Sequence, residues 1–138
     1  MVVSNMTLVK IGAIGGVITV SMGMALRRKV NENIRQTEYY KEALKTVRSN
    51  QSAVYLLGEP MKEGRIQIDD AEKNFTKVDT AHYEVPIKGP KQKGVIYFWA
   101  NKLDSGWTVN RIELGLDNEP NRRLLIKNTD NAEQNINE

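Results

Sequence analysis

Hydrophobic pattern divides the chain into an unbroken apolar stretch, a segment of helical period and a series of alternating segments. Ile11–Leu26 holds no charged residue and is closed by Arg27, Arg28 and Lys29. Its helical length is roughly 24 Å, short of the ~30 Å hydrocarbon core of a bilayer. Starting at Leu8 gives about 28 Å and takes in Lys10, whose long stem can reach the interface. Residues 8–29 are therefore read as a single transmembrane helix with a basic flank, after an N-terminal segment 1–7. Gly12 and Gly16 make a small-xxx-small pair, a candidate packing face for a second helix, although glycine is common in membrane helices anyway. Two other readings compete. Gly23-Met24-Ala25 resembles a signal cleavage site, but the basic n-region is almost absent. A buried core helix is the other, but the apolar positions run all the way round and the chain is small.

Beyond this stretch the period becomes helical. Tyr40, Ala43, Leu44 and Val47 recur at steps of three and four, with Ile34 six residues before them, which predicts a helix from Asn31 to about Ser49. It either continues the membrane segment as a stalk or docks on the domain. Glu38 with Lys41, and Glu42 with Lys45, are spaced for ion pairs. Tyr39 and Tyr40 straddle a helix face, one ring directed to the core and the other to an interface. A short apolar run, Ala53–Leu57, stops at Gly58 with Pro60 beyond, a helix terminus with glycine in the left-handed C′ conformation.

From Arg65 the period falls to two. Ile66 and Ile68 alternate with polar residues, Asp69–Asn74 is a turn, and Ala81, Tyr83, Val85 and Ile87 share one strand face with His82 and Glu84 on the other. Pro86 calls for an edge or a bulge. Gly89–Gly94 is a turn, and the continuous apolar run Val95–Ala100 is the candidate central strand. After a turn at Lys102–Gly106, Trp107 and Val109 are in one phase and Ile112, Leu114 and Leu116 in the other, which predicts a bulge near Asn110 and Arg111. Asp117–Arg122 turns again and Arg123–Ile126 is a short last strand. Two helices packed on a small, mostly antiparallel sheet make an α+β domain over residues 30–126. The polar, asparagine-rich residues 127–138 are read as a disordered tail.

Charge changes this picture little. The net charge is +3, yet residues 1–29 carry Lys10, Arg27, Arg28 and Lys29 and no acid, which leaves 16 basic and 17 acidic residues in the rest. Such a balance argues against a nucleic-acid surface. The absence of cysteine excludes disulfides, thiolate metal sites and thiol catalysis. One histidine, His82, excludes a two-histidine metal site, and no acid or nucleophile is spaced to make it a general base. Asp69-Asp70 reads as a solvated turn. Tyr97, Phe98, Trp99 and Trp107 read as core aromatics, any outward ring marking a protein interface. A membrane-tethered enzyme would need His82, Glu84 and Arg111 to converge. No cofactor, metal site or catalytic residue is expected. Asn5, Asn50 and Asn74 open glycosylation sequons, so a secretory-pathway domain would carry sugar at Asn50 or Asn74. A start free of acids suits mitochondrial targeting but lacks an arginine-rich presequence.

Several dispersed features then fall in a characteristic order: Tyr39-Tyr40-Lys41 with Ala43 and Leu44 after the apolar helix, Leu57-Gly58-x-Pro60, Phe75-x-x-Val78-x-x-Ala81 running to Pro86-Ile87-x-Gly89, Gly94-x-x-Tyr97, and Trp107 before Glu113-Leu114. In this order the chain, over roughly residues 8–116, resembles the cytochrome c oxidase assembly factor one family of mitochondria. The resemblance implies a non-enzymatic, single-pass inner-membrane protein with its domain in the intermembrane space and a fold of two helices on a mixed sheet. It implies binding to newly made cytochrome c oxidase subunits or to complex I assembly intermediates, or residence as an accessory subunit of complex I. Tyr39, Tyr40, His82 and Trp107 are the candidate partner contacts. One conflict stands within this reading. Arg27, Arg28 and Lys29 would by the positive-inside rule hold the domain on the matrix side, whereas the family topology places it outside.

Overall fold

The computed structural model describes residues 21–129. Most of the expected membrane stretch, with Gly12 and Gly16, and the tail from residue 130 lie outside the described residues. No helix among the described residues is long and apolar enough to cross a membrane. Three helices precede or flank a six-stranded sheet: α1 (21–35), α2 (Glu38–Ser49) and α3 (Gln51–Leu57), then β1 (Lys62–Glu63), β2 (Phe75–Thr76), β3 (Thr80–Lys88), β4 (Lys93–Leu103), β5 (Gly106–Leu116) and β6 (Glu119–Asn128). The strand order is β1-β3-β4-β5-β6, with β2 beside β1 on the outer side of β3. Every pairing is antiparallel, so the mixed sheet implied by the resemblance is not what forms among the described residues.

The single helix expected from Asn31 to Ser49 is broken at residues 36 and 37. Thr37 takes extended backbone angles, φ −70° and ψ 150°, and its hydroxyl donates to the Ile34 carbonyl. A threonine that bonds back to the preceding turn gives the chain an alternative to continuing the helix. The break lets both halves reach the sheet. Residues 21–30 stand exposed, whereas Asn31 and Ile34 at the end of α1 are buried. The docking alternative is thus realised at the end of the helix, and the membrane segment that a stalk would continue lies outside the described residues.

Asn31 replaces a strand neighbour. Its Oδ1 accepts from the Ile66 amide at 2.8 Å, and its Nδ2 donates to the Ile66 carbonyl at 3.4 Å and to the Arg27 carbonyl at 3.1 Å. Ile66 is buried as its apolar character requires, but in irregular backbone. The alternation at 66 and 68 is not a strand, and the strand in that region is Lys62–Glu63. Asn74 does similar work on the outer side of β3, accepting from Glu84 N at 2.8 Å and donating to Gln67 O at 2.9 Å. Pro86 sits in this gap between β2 and β1, where its carbonyl accepts from Gly64 N at 2.7 Å. Its ring nitrogen points the same way, so the missing N–H costs the β3–β4 ladder nothing.

The expected alternation of β3 holds, with Ala81, Tyr83, Val85 and Ile87 buried. So does the central position of β4 and the phase slip in β5: Trp99 pairs with Arg111 but Ala100 with Val109, leaving Asn110 as the bulged residue. β6 is longer than expected, starting at Glu119 and ending at Asn128. Helix α3 ends at Gly58, as expected, but with φ 81° and ψ 170°, a glycine-only conformation outside the left-handed helical region. The core lies between α2, α3 and one sheet face, centred on Phe98, Leu57, Ile96 and Ile112.

Two buried tyrosines in this core share a hydroxyl chain. Thr76 Oγ1 lies 2.8 Å from the Tyr39 hydroxyl and 2.7 Å from that of Tyr83. Burial pushes the Tyr83 pKa up to about 12 against the hydrogen bond from Thr76, which lowers it. The unfolded chain ionises near 10 while the fold still holds the proton, so this contribution to stability is complete below pH 10 and is lost as pH rises through about 12. Denaturation titrations at increasing pH should show a decline that begins near pH 10 and is smaller in Tyr83→Phe.

Candidate interaction surface

Among the described residues the helices cover one face of the sheet and leave the other open. Outward positions on this face are His82, Glu84 and Pro86 of β3, Val95, Tyr97 and Trp99 of β4, and Arg111, Glu113 and Gly115 of β5, continuing to Arg123 and Leu125 of β6. Register places His82, Trp99 and Arg111 in one row and Glu84, Tyr97, Glu113 and Leu125 in the next.

Side chains on this face lie over one another. The Arg123 guanidinium is 3.7 Å from the Tyr97 ring centroid, and that of Arg111 is 5.7 Å from Trp99. Glu113 accepts a hydrogen bond from Arg111 at 3.3 Å and forms an ion pair with Arg123 at 3.9 Å. The His82 ring is 4.8 Å from Trp99 and its Nδ1 is 2.6 Å from the Lys73 carbonyl. Arginine stacked on aromatic rings combines a broad apolar contact area with fixed donors, and both residue types are enriched where proteins meet. Leu125 is 47% exposed at the margin, and β6 is an edge strand of the sheet among the described residues.

The structure redistributes the expected contact residues. Tyr39 and Tyr40 are both buried, correcting the expectation of one outward ring, and Tyr39 packs edge-on against half-buried Trp107 at 5.1 Å. His82 lies on the open face as expected. Tyr97 and Trp99 are not core aromatics, since they belong to the opposite face from Phe98. Arg111 and Arg123 complete the surface, and no sequence pattern marks Arg123 for it because nothing in a sequence shows which arginine crosses strands to reach a ring. Of the residues an enzyme would need, His82 and Arg111 both rest on Trp99, while Glu84 lies one row along.

Charge pairing on α2 also differs. Glu42 reaches across to Lys127 at 3.0 Å, so the expected Glu42–Lys45 pair does not form. Asp69 pairs with Arg27 at 3.2 Å, both largely exposed, and Asp70 with Lys73 at 3.8 Å. Among the described residues, no group of three or more acidic or histidine side chains is placed to hold a metal ion. The Asn74 amide is committed inside the fold, which leaves Asn50, whose side chain caps α3 by accepting from Ala53 N at 3.0 Å, as the sequon a sugar could reach among the described residues.

The sequence profile of a family described as cytochrome oxidase complex assembly protein 1 matches residues 12–125, most of the chain. The chain belongs to this family. The match to the cytochrome oxidase complex assembly protein 1 profile begins in the apolar stretch, takes in all three helices, and ends within β6. It therefore unites the α1 region and the sheet in one family unit. No curated protein and no solved structure matches the chain.

Proposed function

We propose that the protein is a non-enzymatic factor in cytochrome c oxidase assembly at the mitochondrial inner membrane, acting by protein binding. The observation that carries this reading is the family match over residues 12–125. The open face supports it, because stacked Arg111, Arg123, Tyr97 and Trp99 offer contact area without a catalytic group. In this reading residues 8–29 anchor the chain, Gly12 and Gly16 pack on a membrane partner, and α1 carries the domain away from the bilayer. Confinement beside the membrane raises the effective concentration of the domain, so weak contacts of the open face suffice for binding.

The domain faces the intermembrane space in this proposal, against the bias of Arg27, Arg28 and Lys29. Protease added to mitoplasts should digest it, and cleavage only after the inner membrane is dissolved would refute the orientation. Affinity purification of the full chain in mild detergent tests the function itself. Oxidase subunits should be recovered with the wild type and lost by about tenfold or more with Arg123→Glu, which places a carboxylate over Tyr97 and beside Glu113. Recovery of complex I components instead would make the protein an accessory or assembly subunit of that complex. Recovery of neither, or a glycosidase-sensitive sugar on Asn50, would remove the mitochondrial assembly reading.

A further inference from the structure

A cleft of about 360 Å³ lies where the end of α1, the outer side of α2 and β1 meet. This is at the small end of the ~300–1,000 Å³ range of ligand pockets. Arg35, Lys41, Lys45 and Arg48 line it with a single carboxylate, Glu63. Lys41, Lys45 and Arg48 recur at steps of four and three on α2, which puts them on one helix face. Glu63 is engaged by Arg48, and Glu42 has turned away to Lys127, so no described carboxylate neutralises Lys41 or Lys45.

The inner wall is less ordinary than the charge. The Tyr40 hydroxyl and the Arg35 Nε are both buried there without a hydrogen-bond partner, and Tyr40 is only 3% exposed. Arg35 spends another donor, Nη2, on the Gly64 carbonyl at 3.3 Å, so the residue is held in place while its Nε–H stays free. Burial, and then the charge of Glu63, raise the Tyr40 pKa against the charge of Arg35, the close approach of the Arg35 side chain to the phenol oxygen, and the charge of Arg48, so the phenol keeps its proton at neutral pH. The phenol keeps an O–H to donate and the Arg35 Nε–H is a donor as well, and buried donors in native proteins are almost always satisfied. An acceptor completes them, and the surrounding cations favour a negative one.

We propose that this cleft binds a phosphate-type oxyanion, with Tyr40 and Arg35 as the inner donors and Lys41, Lys45 and Arg48 supplying charge. Guanidinium donors match the tetrahedral oxygens, and lysine ammonium groups act as point charges around them. The group is either free phosphate or the headgroup of an anionic phospholipid. The site stands on the helical side of the domain, apart from the open sheet face, and does not depend on the assembly role.

The test uses the full chain in a neutral maltoside detergent at constant ionic strength, with heat of binding as the readout. Inorganic phosphate and dihexanoyl phosphatidylglycerol are titrated separately, with sodium chloride and dihexanoyl phosphatidylcholine as controls. At least one of the two anions should give a saturable isotherm, and the tighter of them identifies the source. Tyr40→Phe should weaken that isotherm about tenfold, the loss expected for a hydrogen bond to a charged group. The same substitution should leave the ligand-free melting temperature unchanged or raised, because it removes an unpaired hydroxyl. Lys45→Gln, at an exposed position that cannot unfold the domain, should weaken binding and flatten its salt dependence. Non-saturating heats for both anions, heats reproduced by sodium chloride, or equal affinity in wild type and both variants would overturn the site.

Discussion

Gly89→Ala is expected to destabilise the domain nearly as much as Gly89→Val, by about 4–6 kcal/mol. A Cβ at Gly89 would lie 2.0 Å from the Leu57 carbonyl oxygen and 2.6 Å from its carbon, so the first atom of any side chain already clashes. The backbone comes this close because the β3–β4 turn closes the C-terminal end of α3. Lys91 N donates to Leu57 O at 3.0 Å, Gln92 Nε2 to Leu56 O at 2.7 Å and Lys91 Nζ to Tyr55 O at 2.8 Å. Carbonyls of the last helical turn have no partner within the helix, and this turn supplies three. Moving it outward would forfeit these bonds, each about 1 kcal/mol net, and add packing strain of about 1–3 kcal/mol. Such a loss is a large part of the ~5–15 kcal/mol that holds a domain together. Urea denaturation followed by circular dichroism measures it, and an alanine variant with the wild-type midpoint would show that the turn does not bear on α3.

Phe98→Ala should cost about 3–5 kcal/mol, whereas Trp99→Ala, one residue on, should cost about 1–2 kcal/mol. Phe98 is fully buried, and its ring lies 5.8 Å from Tyr83, 6.2 Å from Tyr39 and 6.4 Å from Tyr40. Removing it opens a cavity among three rings that are themselves fixed by the Thr76 hydroxyl chain and by α2, so collapse is limited. Trp99 lies on the open face between His82 and Arg111, where water and neighbouring side chains can close over the space. Comparable losses for the two variants in the same denaturation experiment would mean that both faces of β4 are covered.

That pair of residues also marks where sequence reading stops. Val95–Ala100 is apolar at every position, so its composition shows a strand near the middle of the sheet but not which residues face inward. Where polar and apolar residues alternate, as from Ala81 to Ile87, the inward face was legible in advance. So was the bulge at Asn110, because a phase slip leaves a mark in the pattern. The stop of α3 was legible too, since glycine and proline restrict the backbone whatever surrounds them. The break at Thr37 was not, because no glycine or proline marks it, and only docking of both halves on one sheet selects two helices over one. Ile66 reads as a strand residue by its neighbours, yet its backbone is satisfied by Asn31, thirty-five positions away.

Chemistry divides in the same way. A chain without cysteine and with one histidine limits what reactions its side chains can support before any fold is known. The family order of residues is likewise a property of the chain and is recovered over residues 12–125. Sites depend on which distant groups meet. Arg123 lies over Tyr97 because antiparallel register brings β6 within reach of β4 across Gly115, a position with no side chain to intervene. The cleft around Tyr40 keeps its positive charge because Glu42 pairs with Lys127 instead of Lys45. The α+β class, the buried face of each alternating strand and the family follow from local period and residue order, and so are legible before any fold is known. Tertiary structure alone decided which arginines, tyrosines and lysines form a surface or a cleft, since that depends on register and on competition among partners far apart in the chain.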